Sequence, residues 1–123
     1  MSGDKLFVDT NAVLYLLGGD KTLAEFLEGK NLYLSFITQL ELLAFRQLSE
    51  SEEELIRQFI DECTIIDIND QIKEKVIDIR RKYGVKLPDC IIMASAVYLD
   101  IPLITADSDF KKVTELNLVY YER

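Results

Sequence analysis

The chain has 123 residues, of which 49% are hydrophobic and 29% are charged, and it contains no histidine. This length predicts a single domain over residues 1–123, and the apolar content excludes a disordered chain. Without histidine, Ser-His-Asp, Cys-His and paired-histidine catalysis and nearly all zinc hydrolase sites are excluded. Lysines and arginines number 14 against 22 acidic residues, so the formal net charge is −8 and carboxylates are in excess.

The location of the protein is also constrained by what its sequence contains. No apolar run approaches the roughly 20 residues that cross a bilayer. Residues 1–5 lack the basic stretch and the apolar segment of a secretory signal. Cys63 and Cys90 lie among aliphatic residues without a metal-type or disulfide-framework spacing. We therefore expect a cytoplasmic protein with reduced thiols and no membrane association.

Apolar strand-like blocks alternate with segments of helical periodicity along the chain. In the first half we predict a strand over 5–9 ending in Asp9, a helix over 10–17, a helix capped by Asp20 and closing at Gly29, a strand over 31–35, a helix over about 37–48, and a helix begun by a Ser51–Glu54 capping box. In the second half we predict a strand over 63–68, a helix capped by Asn69 or Asp70 and ended by Gly84, a helix with Pro88 in its first position that runs to about Leu99, and strands over 101–105 and 117–121.

This alternation of apolar strands and helices predicts a parallel sheet covered on both faces. Right-handed crossovers between the strands then give a three-layer α/β/α domain. In such sheets, ligands bind outside the carboxyl ends of the strands. The residues at those ends are therefore the candidates for a functional site.

Four acidic residues from separate parts of the chain are expected at that edge. Asp9 ends the first strand and Asp107 follows the fourth. Glu41 is predicted near the start of the helix after the second strand, and Asp89 in the first turn of the helix before the fourth. Taken singly, Asp9 could cap a helix and Asp89 could complement a helix dipole. Clustered carboxylates, however, repel one another unless a cation or protons neutralise them. Oxygen donors suit Mg²⁺ or Mn²⁺, which predicts metal-dependent phosphodiester hydrolysis.

Four segments in this order resemble the motif blocks of PIN-domain ribonucleases: 8–11 (VDTN), 39–42 (QLEL), 87–96 (LPDCIIMASA) and 103–110 (LITADSDF). Their order and the chain length are most similar to the VapC-type toxins of prokaryotic toxin–antitoxin pairs. The resemblance implies an acidic Mg²⁺ or Mn²⁺ site made of Asp9, Glu41, Asp89 and Asp107, with Asn11, Thr105 and Asp109 in support. It also implies a PIN-like five-stranded sheet of order 3-2-1-4-5, RNA cleavage, a homodimer, and inhibition by a cognate antitoxin packed over the early helices.

An acidic ribonuclease needs a local basic approach for its RNA substrate. The stretch between residues 73 and 86 has six basic and two acidic residues. Five of the basic residues are the candidates: Lys73, Arg80, Arg81, Lys82 and Lys86. The alternative is a charged solvent face of a helix. Two other functions stay open, namely a structure-specific DNA nuclease and a PIN-like scaffold that binds RNA or protein without cutting.

Overall fold

The fold was analysed in a computed structural model that describes residues 4–123, so residues 1–3 of the segment considered for a secretory signal lie outside it. The strands are β1 Lys5–Val8, β2 Asn31–Ser35, β3 Thr64–Ile66, β4 Leu103–Thr105 and β5 Leu118–Tyr120. The helices are α1 Thr10–Leu17, α2 Lys21–Leu27, α3 Phe36–Leu43, α4 Glu50–Asp61, α5 Asp70–Tyr83 and α6 Leu87–Leu99, and a 3₁₀ helix covers Ser108–Lys112. Within the described chain, none of these helices is both long enough and apolar enough to span a membrane.

The strands form one sheet in the order β3-β2-β1-β4-β5, and all neighbouring strands are parallel. This confirms the predicted order 3-2-1-4-5 and the α/β class. The chain builds the sheet outward from β1 in one direction and then returns to the other side of β1. The carboxyl ends of β1 and β4 therefore flank the point where the strand order reverses, which is where open α/β sheets bind ligands.

Side chains that alternate along the strands supply two separate cores, one on each face of the sheet. In β1, Phe7 points to one face, where it belongs to a core shared with α5 and α6. Leu6 and Val8 point to the other face and belong to a core shared with α1, α2 and α4. The three-layer α/β/α prediction is thereby confirmed.

The boundary between α3 and α4 differs from the prediction. A helix over about 37–48 was expected, followed by a second helix begun by a Ser51–Glu54 capping box. The end of the first helix and the capping residues of the second are wrong. The capping box is formed by Ser49 and Glu52, each of which bonds the other's backbone amide. Ser49 is extended where it caps α4, and α3 ends earlier, at Leu43, with Ala44 as its C-cap.

Other helix ends and strand lengths differ by smaller amounts. Asn69, rather than Asp70, caps α5, and its side chain accepts the Ile72 amide. Pro88 is the second residue of α6 and not the first, a position where its missing N–H still leaves no bond unmade. The predicted strands over 63–68, 101–105 and 117–121 are each longer than the three-residue strands that form.

Candidate active site

Asp9 follows β1 directly, beside the end of β4, and only 4% of its surface is exposed. Its Oδ2 accepts a hydrogen bond of 2.7 Å from the Thr105 hydroxyl, and its Oδ1 accepts one of 2.8 Å from the Thr10 amide. Burial raises the pKa of the Asp9 carboxyl to about 6, although these two bonds oppose the rise, and the charges of Asp89 and Asp107 add to it. A carboxylate held in such surroundings is stabilised by a nearby cation.

Glu41 is oriented by a pair of threonine hydroxyls. The Thr10 hydroxyl donates to Glu41 Oε1 at 2.7 Å. Since this bond uses the only hydroxyl proton of Thr10, the buried Thr38 hydroxyl, 2.9 Å away, donates to Thr10 in turn. Neither threonine was expected from sequence in this role. The signal that could have indicated Thr38 is its position three residues before Glu41, on the same face of α3.

Asp89 lies in the first turn of α6, with 23% of its side chain exposed and its Oδ2 at 4.0 Å from Lys86 Nζ. Burial is the largest cause of a raised pKa of Asp89; Lys86 lowers this pKa, whereas Asp107, Glu41 and Asp109 raise it. Three other carboxylates are thus close enough to act on Asp89. Complementing the dipole of α6 is therefore only part of its environment.

The loop after β4 is fixed by polar contacts with the end of β1. The Asp107 amide donates to Thr105 Oγ1 at 3.0 Å, and Asp107 Oδ1 accepts the Asp109 amide at 2.9 Å, which caps the 3₁₀ helix. Asn11 Oδ1 lies 3.4 Å from both the Thr105 hydroxyl and the next backbone amide. Thr105 therefore links the buried carboxylate of Asp9 to the loop that carries the other two aspartates.

The acidic residues share one edge of the sheet without forming a closed coordination shell. Among residues 4–123, no group of three or more Asp, Glu, Cys or His side chains is spaced to hold a metal ion. Their chemistry nevertheless fits Mg²⁺ or Mn²⁺, because all the available donors are oxygen atoms. Glu41 is bonded to Thr10 and Asp89 faces Lys86, so both would turn from these partners to bind an ion beside Asp9.

The basic residues between 73 and 86 are not gathered at the acidic edge. Lys73 Nζ lies 3.9 Å from Asp70 in the first turn of α5, about 16 Å along the helix from its carboxyl end. Arg80 donates to the backbone carbonyls of Gly84 and Val85 at 3.1 and 2.9 Å, so it serves to close the end of α5. Both residues thus have local partners.

Two lysines do lie among the acids. Lys86 follows the last turn of α5, where Arg81 and Lys82 are exposed, and it lines a pocket together with Asp89. Lys112, at the end of the 3₁₀ helix, lines the same pocket and was not expected from sequence. Its position just after the 103–110 segment is the signal that could have indicated it.

An apolar groove opens beside Glu41 between α1, α3 and the start of α4. Its volume is about 510 Å³, and Glu41 and Glu52 are its acidic lining residues. The apolar lining includes Leu14, Phe45 and Leu55, whose exposed fractions are 53%, 69% and 50%. Side chains of this size seldom remain so exposed together unless the surface has a partner.

The apolar residues of the early helices divide between this groove and the core. Leu23 and Leu27 are buried in the core, whereas Leu14 and Leu17 line the groove. Phe26 is 42% exposed and lies outside the groove. The groove therefore owes more of its lining to α3, α4 and the turn between them than the sequence indicated.

Comparison with known proteins agrees with this architecture. Residues 6–116 match the family model described as PIN domain. No curated protein sequence matches the chain significantly.

Solved structures are similar over nearly the full chain. A chain of a toxin–antitoxin complex from Klebsiella pneumoniae is 30% identical, with a TM-score of 0.83 and coverage of 96% of this chain and 99% of that one. VapBC2 from Rickettsia felis, bound to a DNA fragment from its promoter, is 18% identical, with a TM-score of 0.86 and coverage of 96% and 99%. VapBC-1 from nontypeable Haemophilus influenzae is 24% identical, with a TM-score of 0.76 and coverage of 94% and 97%. The last two likenesses show the fold alone.

These findings confirm the resemblance that the four sequence segments indicated. The family model spans nearly the whole chain, and the fold, the strand order and the 30% identical structure agree with it. The chain belongs to the PIN domain family.

Proposed function

We propose that the protein is an Mg²⁺- or Mn²⁺-dependent endoribonuclease and the toxin of a type II toxin–antitoxin pair. The observation that carries the proposal is the buried Asp9 carboxyl at the strand-order reversal, with a pKa raised to about 6 in a field to which Asp89 and Asp107 contribute. PIN-domain toxins are nucleases, so membership of the family supports a phosphodiester hydrolase.

The residues that would hold the ion are Asp9, Glu41, Asp89 and Asp107, with Asn11, Thr105 and Asp109 in support. When bound, Mg²⁺ or Mn²⁺ activates water and stabilises charge on the phosphate. Thr105 and the Thr10 amide hold the Asp9 carboxylate in one orientation, which reduces the reorganisation that this carboxylate needs when substrate binds. Glu41, in contrast, would leave the Thr10 hydroxyl to reach the ion.

The absence of histidine restricts how protons move in this site. In hydrolysis a water oxygen bonds to phosphorus while the bond from phosphorus to the leaving oxygen breaks. The proton of the attacking water passes to a carboxylate or to solvent, since the chain has no imidazole to take it.

The proposal is tested by incubating the purified protein with single-stranded RNA and with DNA of the same sequence. We expect cleavage of the RNA when Mn²⁺ or Mg²⁺ is added and none in excess chelator, because the acids alone repel the phosphate. Gel analysis of end-labelled substrates measures both. Cleavage that survives chelation would contradict the metal mechanism, equal cutting of DNA would favour the DNA nuclease, and no cutting of either would favour the scaffold.

The apolar groove supports an antitoxin as the partner. The similar structure from Klebsiella pneumoniae, 30% identical, is described as a toxin–antitoxin complex. Exposed Leu14, Phe45 and Leu55 suit the apolar face of a helix, and the acidic Glu41 and Glu52 suit a basic side chain of that helix. A basic group placed there would also offset the negative cluster beside the groove.

We expect a charged side chain introduced into this groove to weaken the binding of the antitoxin. Leu14→Glu and Phe45→Glu should each raise the dissociation constant by roughly 30-fold or more, the effect of losing a central apolar anchor. Calorimetric titration with the small protein encoded by an adjacent reading frame measures it. Phe26→Glu is the matched control, because Phe26 is an exposed aromatic residue outside the groove. Equal weakening by all three variants would place the partner elsewhere.

We also propose a homodimer, as the resemblance implies, and a cytoplasmic location, as expected for a protein with reduced thiols. Exposed apolar side chains outside the groove offer contact area for a second copy: Leu40 on α3, and Leu87 and Tyr98 on α6, are 56%, 56% and 46% exposed. Burying such side chains stabilises an assembly in proportion to the apolar area removed from water.

A further inference from the structure

A second concave site adjoins the acidic residues on the side of α6 and the 3₁₀ helix. This pocket has a volume of about 310 Å³, and Lys86, Lys112, Asp89 and Asp109 provide its charged lining. Gly84 and the buried Phe110 are also part of its wall. We call it the lysine pocket. It brings together two cations from segments that are 26 positions apart in the chain.

Both cations of the lysine pocket are weakly engaged by the protein itself. Lys86 Nζ is 4.0 Å from Asp89 Oδ2 and its side chain is 82% exposed, a geometry in which an ion pair contributes little. Among residues 4–123, Lys112 has no carboxylate within 4.0 Å.

Two other lysines, in contrast, have close partners. Lys111 Nζ lies 3.9 Å from the centroid of the Tyr120 ring, and Lys75 Nζ lies 3.1 Å from Glu115 Oε1. In a chain of net charge −8, two lysines that remain available beside the acidic centre are therefore well placed to attract an anion.

We propose that the lysine pocket binds a backbone phosphate of the nucleic-acid substrate next to the one that is cleaved. This inference rests on the proposed nuclease function and adds the path of the substrate: the strand leaves the acidic centre past the amino end of α6. Lys86 and Lys112 are positioning residues in this account. They hold a neighbouring phosphate while the carboxylates and their ion act on the scissile one, which converts binding into correct placement.

The pocket also explains how an acidic protein can hold a polyanion. Phosphates near Asp9, Asp89 and Asp107 are repelled unless cations are present. One metal ion would offset part of this charge, and Lys86 and Lys112 add two positive charges in the pocket that Asp89 also lines. The basic residues further along α5 are not required for this.

The test compares RNA binding by lysine variants in an Asp9→Asn background, so that the RNA remains intact. Lys86→Ala/Lys112→Ala should weaken binding of a labelled single-stranded RNA roughly tenfold at low salt. It should also reduce the slope of log affinity against log salt by about 0.7–1, the value for one phosphate that is no longer neutralised. Fluorescence anisotropy between 50 and 200 mM salt in the presence of Mn²⁺ measures both quantities.

The matched control removes two lysines from the opposite edge of the sheet. Lys5 begins β1 and Lys30 precedes β2, so Lys5→Ala/Lys30→Ala makes the same charge change at the amino ends of the strands. Its RNA affinity should stay within about twofold of that of the Asp9→Asn background protein, and its salt slope should differ from the background slope by no more than about 0.3. Lys86→Arg/Lys112→Arg keeps both charges and should restore most of the binding, which separates loss of charge from loss of folding.

Cleavage kinetics supply an independent readout. With Asp9 intact, the Lys86→Ala/Lys112→Ala variant should raise KM about tenfold and leave kcat within threefold, because the contacts are made before the chemical step. If Lys86 only tuned the neighbouring Asp89, its removal would instead shift the pH profile of kcat at unchanged affinity, and that result would overturn the proposal.

The remaining outcomes are also decisive. Equal weakening of RNA binding by the Lys5→Ala/Lys30→Ala control would show only a general charge effect and would overturn the proposal. Unchanged binding by the Lys86→Ala/Lys112→Ala variant would also overturn it, as would the absence of RNA binding by the Asp9→Asn background protein. If RNA binding depends on Lys86 and Lys112 but the protein with Asp9 intact cuts no RNA, the phosphate site is retained and the nuclease function is rejected. If the protein cuts RNA and the two lysines make no difference, the nuclease function is retained and the phosphate site is rejected.

Discussion

Replacing Asp9 with asparagine is expected to reduce Mn²⁺-dependent RNA cleavage by at least about 100-fold. Removing a group that only supports a metal ligand commonly costs 10- to 100-fold, so loss of a direct ligand should cost at least as much. Asparagine keeps the shape of Asp9 and can still accept the Thr10 amide, so the fold is retained while the negative charge is lost. Initial rates of RNA cleavage across a Mn²⁺ titration measure the effect.

The control for this variant is Asp70→Asn, which makes the same chemical change on a side chain that is 97% exposed in the first turn of α5. It should cleave RNA at the rate of the unaltered protein. If Asp9→Asn cleaves as fast as Asp70→Asn at every Mn²⁺ concentration, Asp9 has no part in the site.

Asp9→Asn is also expected to stabilise the metal-free protein at neutral pH by on the order of 3 kcal/mol. The pKa of Asp9 rises from 3.8 to about 6 on folding, mainly through burial. A rise of this size corresponds to roughly 3 kcal/mol that folding loses once the carboxyl is ionised in both states. Asparagine carries no charge, so it avoids this cost, as relief of a strained functional site commonly does.

The sign of the effect fixes its pH dependence. Between pH 3.8 and about 6 the folded protein binds more protons at Asp9 than the unfolded chain does, so stability falls as the pH rises through this window and levels off above it. The advantage of Asp9→Asn should therefore grow by about 1 kcal/mol between pH 5 and pH 7.5. Urea unfolding in chelator at these two pH values measures the change. Any pH-independent cost of placing an amide at this position is the same at both pH values, so it cancels from the comparison.

Asp89→Asn is the matched comparison for the pH measurement. The pKa of Asp89 is raised by burial as well, but Lys86 opposes the rise and the side chain is more exposed. Its stabilisation should have the same sign and be smaller, because solvent screens the charge of this more exposed side chain. A pH-independent difference for Asp9→Asn would mean that the Asp9 carboxyl titrates normally in the folded protein.

The sequence was sufficient for the fold class and for the edge at which the acids lie. Strands and helices that alternate can bury their apolar residues in few ways, and parallel strands bring their carboxyl ends to one side. Asp9 and Asp107 could thus be placed together although 98 positions separate them in the chain. The helix starts at Asp20 and Asn69 were also readable, because such caps act within three residues.

Only the tertiary structure decided which contacts orient and surround these acids. The bond from Thr10 to Glu41 joins residues 31 positions apart, and it depends on how α1 packs beside α3. Likewise, Lys112 joins Lys86 in one pocket because the 3₁₀ helix lies beside the start of α6, whereas Lys73 lies at the far end of α5. Periodicity shows which face of a helix is apolar, but not which neighbour covers it.

The groove illustrates the same limit. Phe45 belongs to it because α3 ends at Leu43 and the chain turns there, whereas Phe26, an equally apolar residue of an early helix, lies outside it. Local sequence determines caps, periodicity and strand ends, since those depend on neighbours along the chain. Exposure and long-range hydrogen bonds depend on the packing of whole elements, which is settled only when the domain folds.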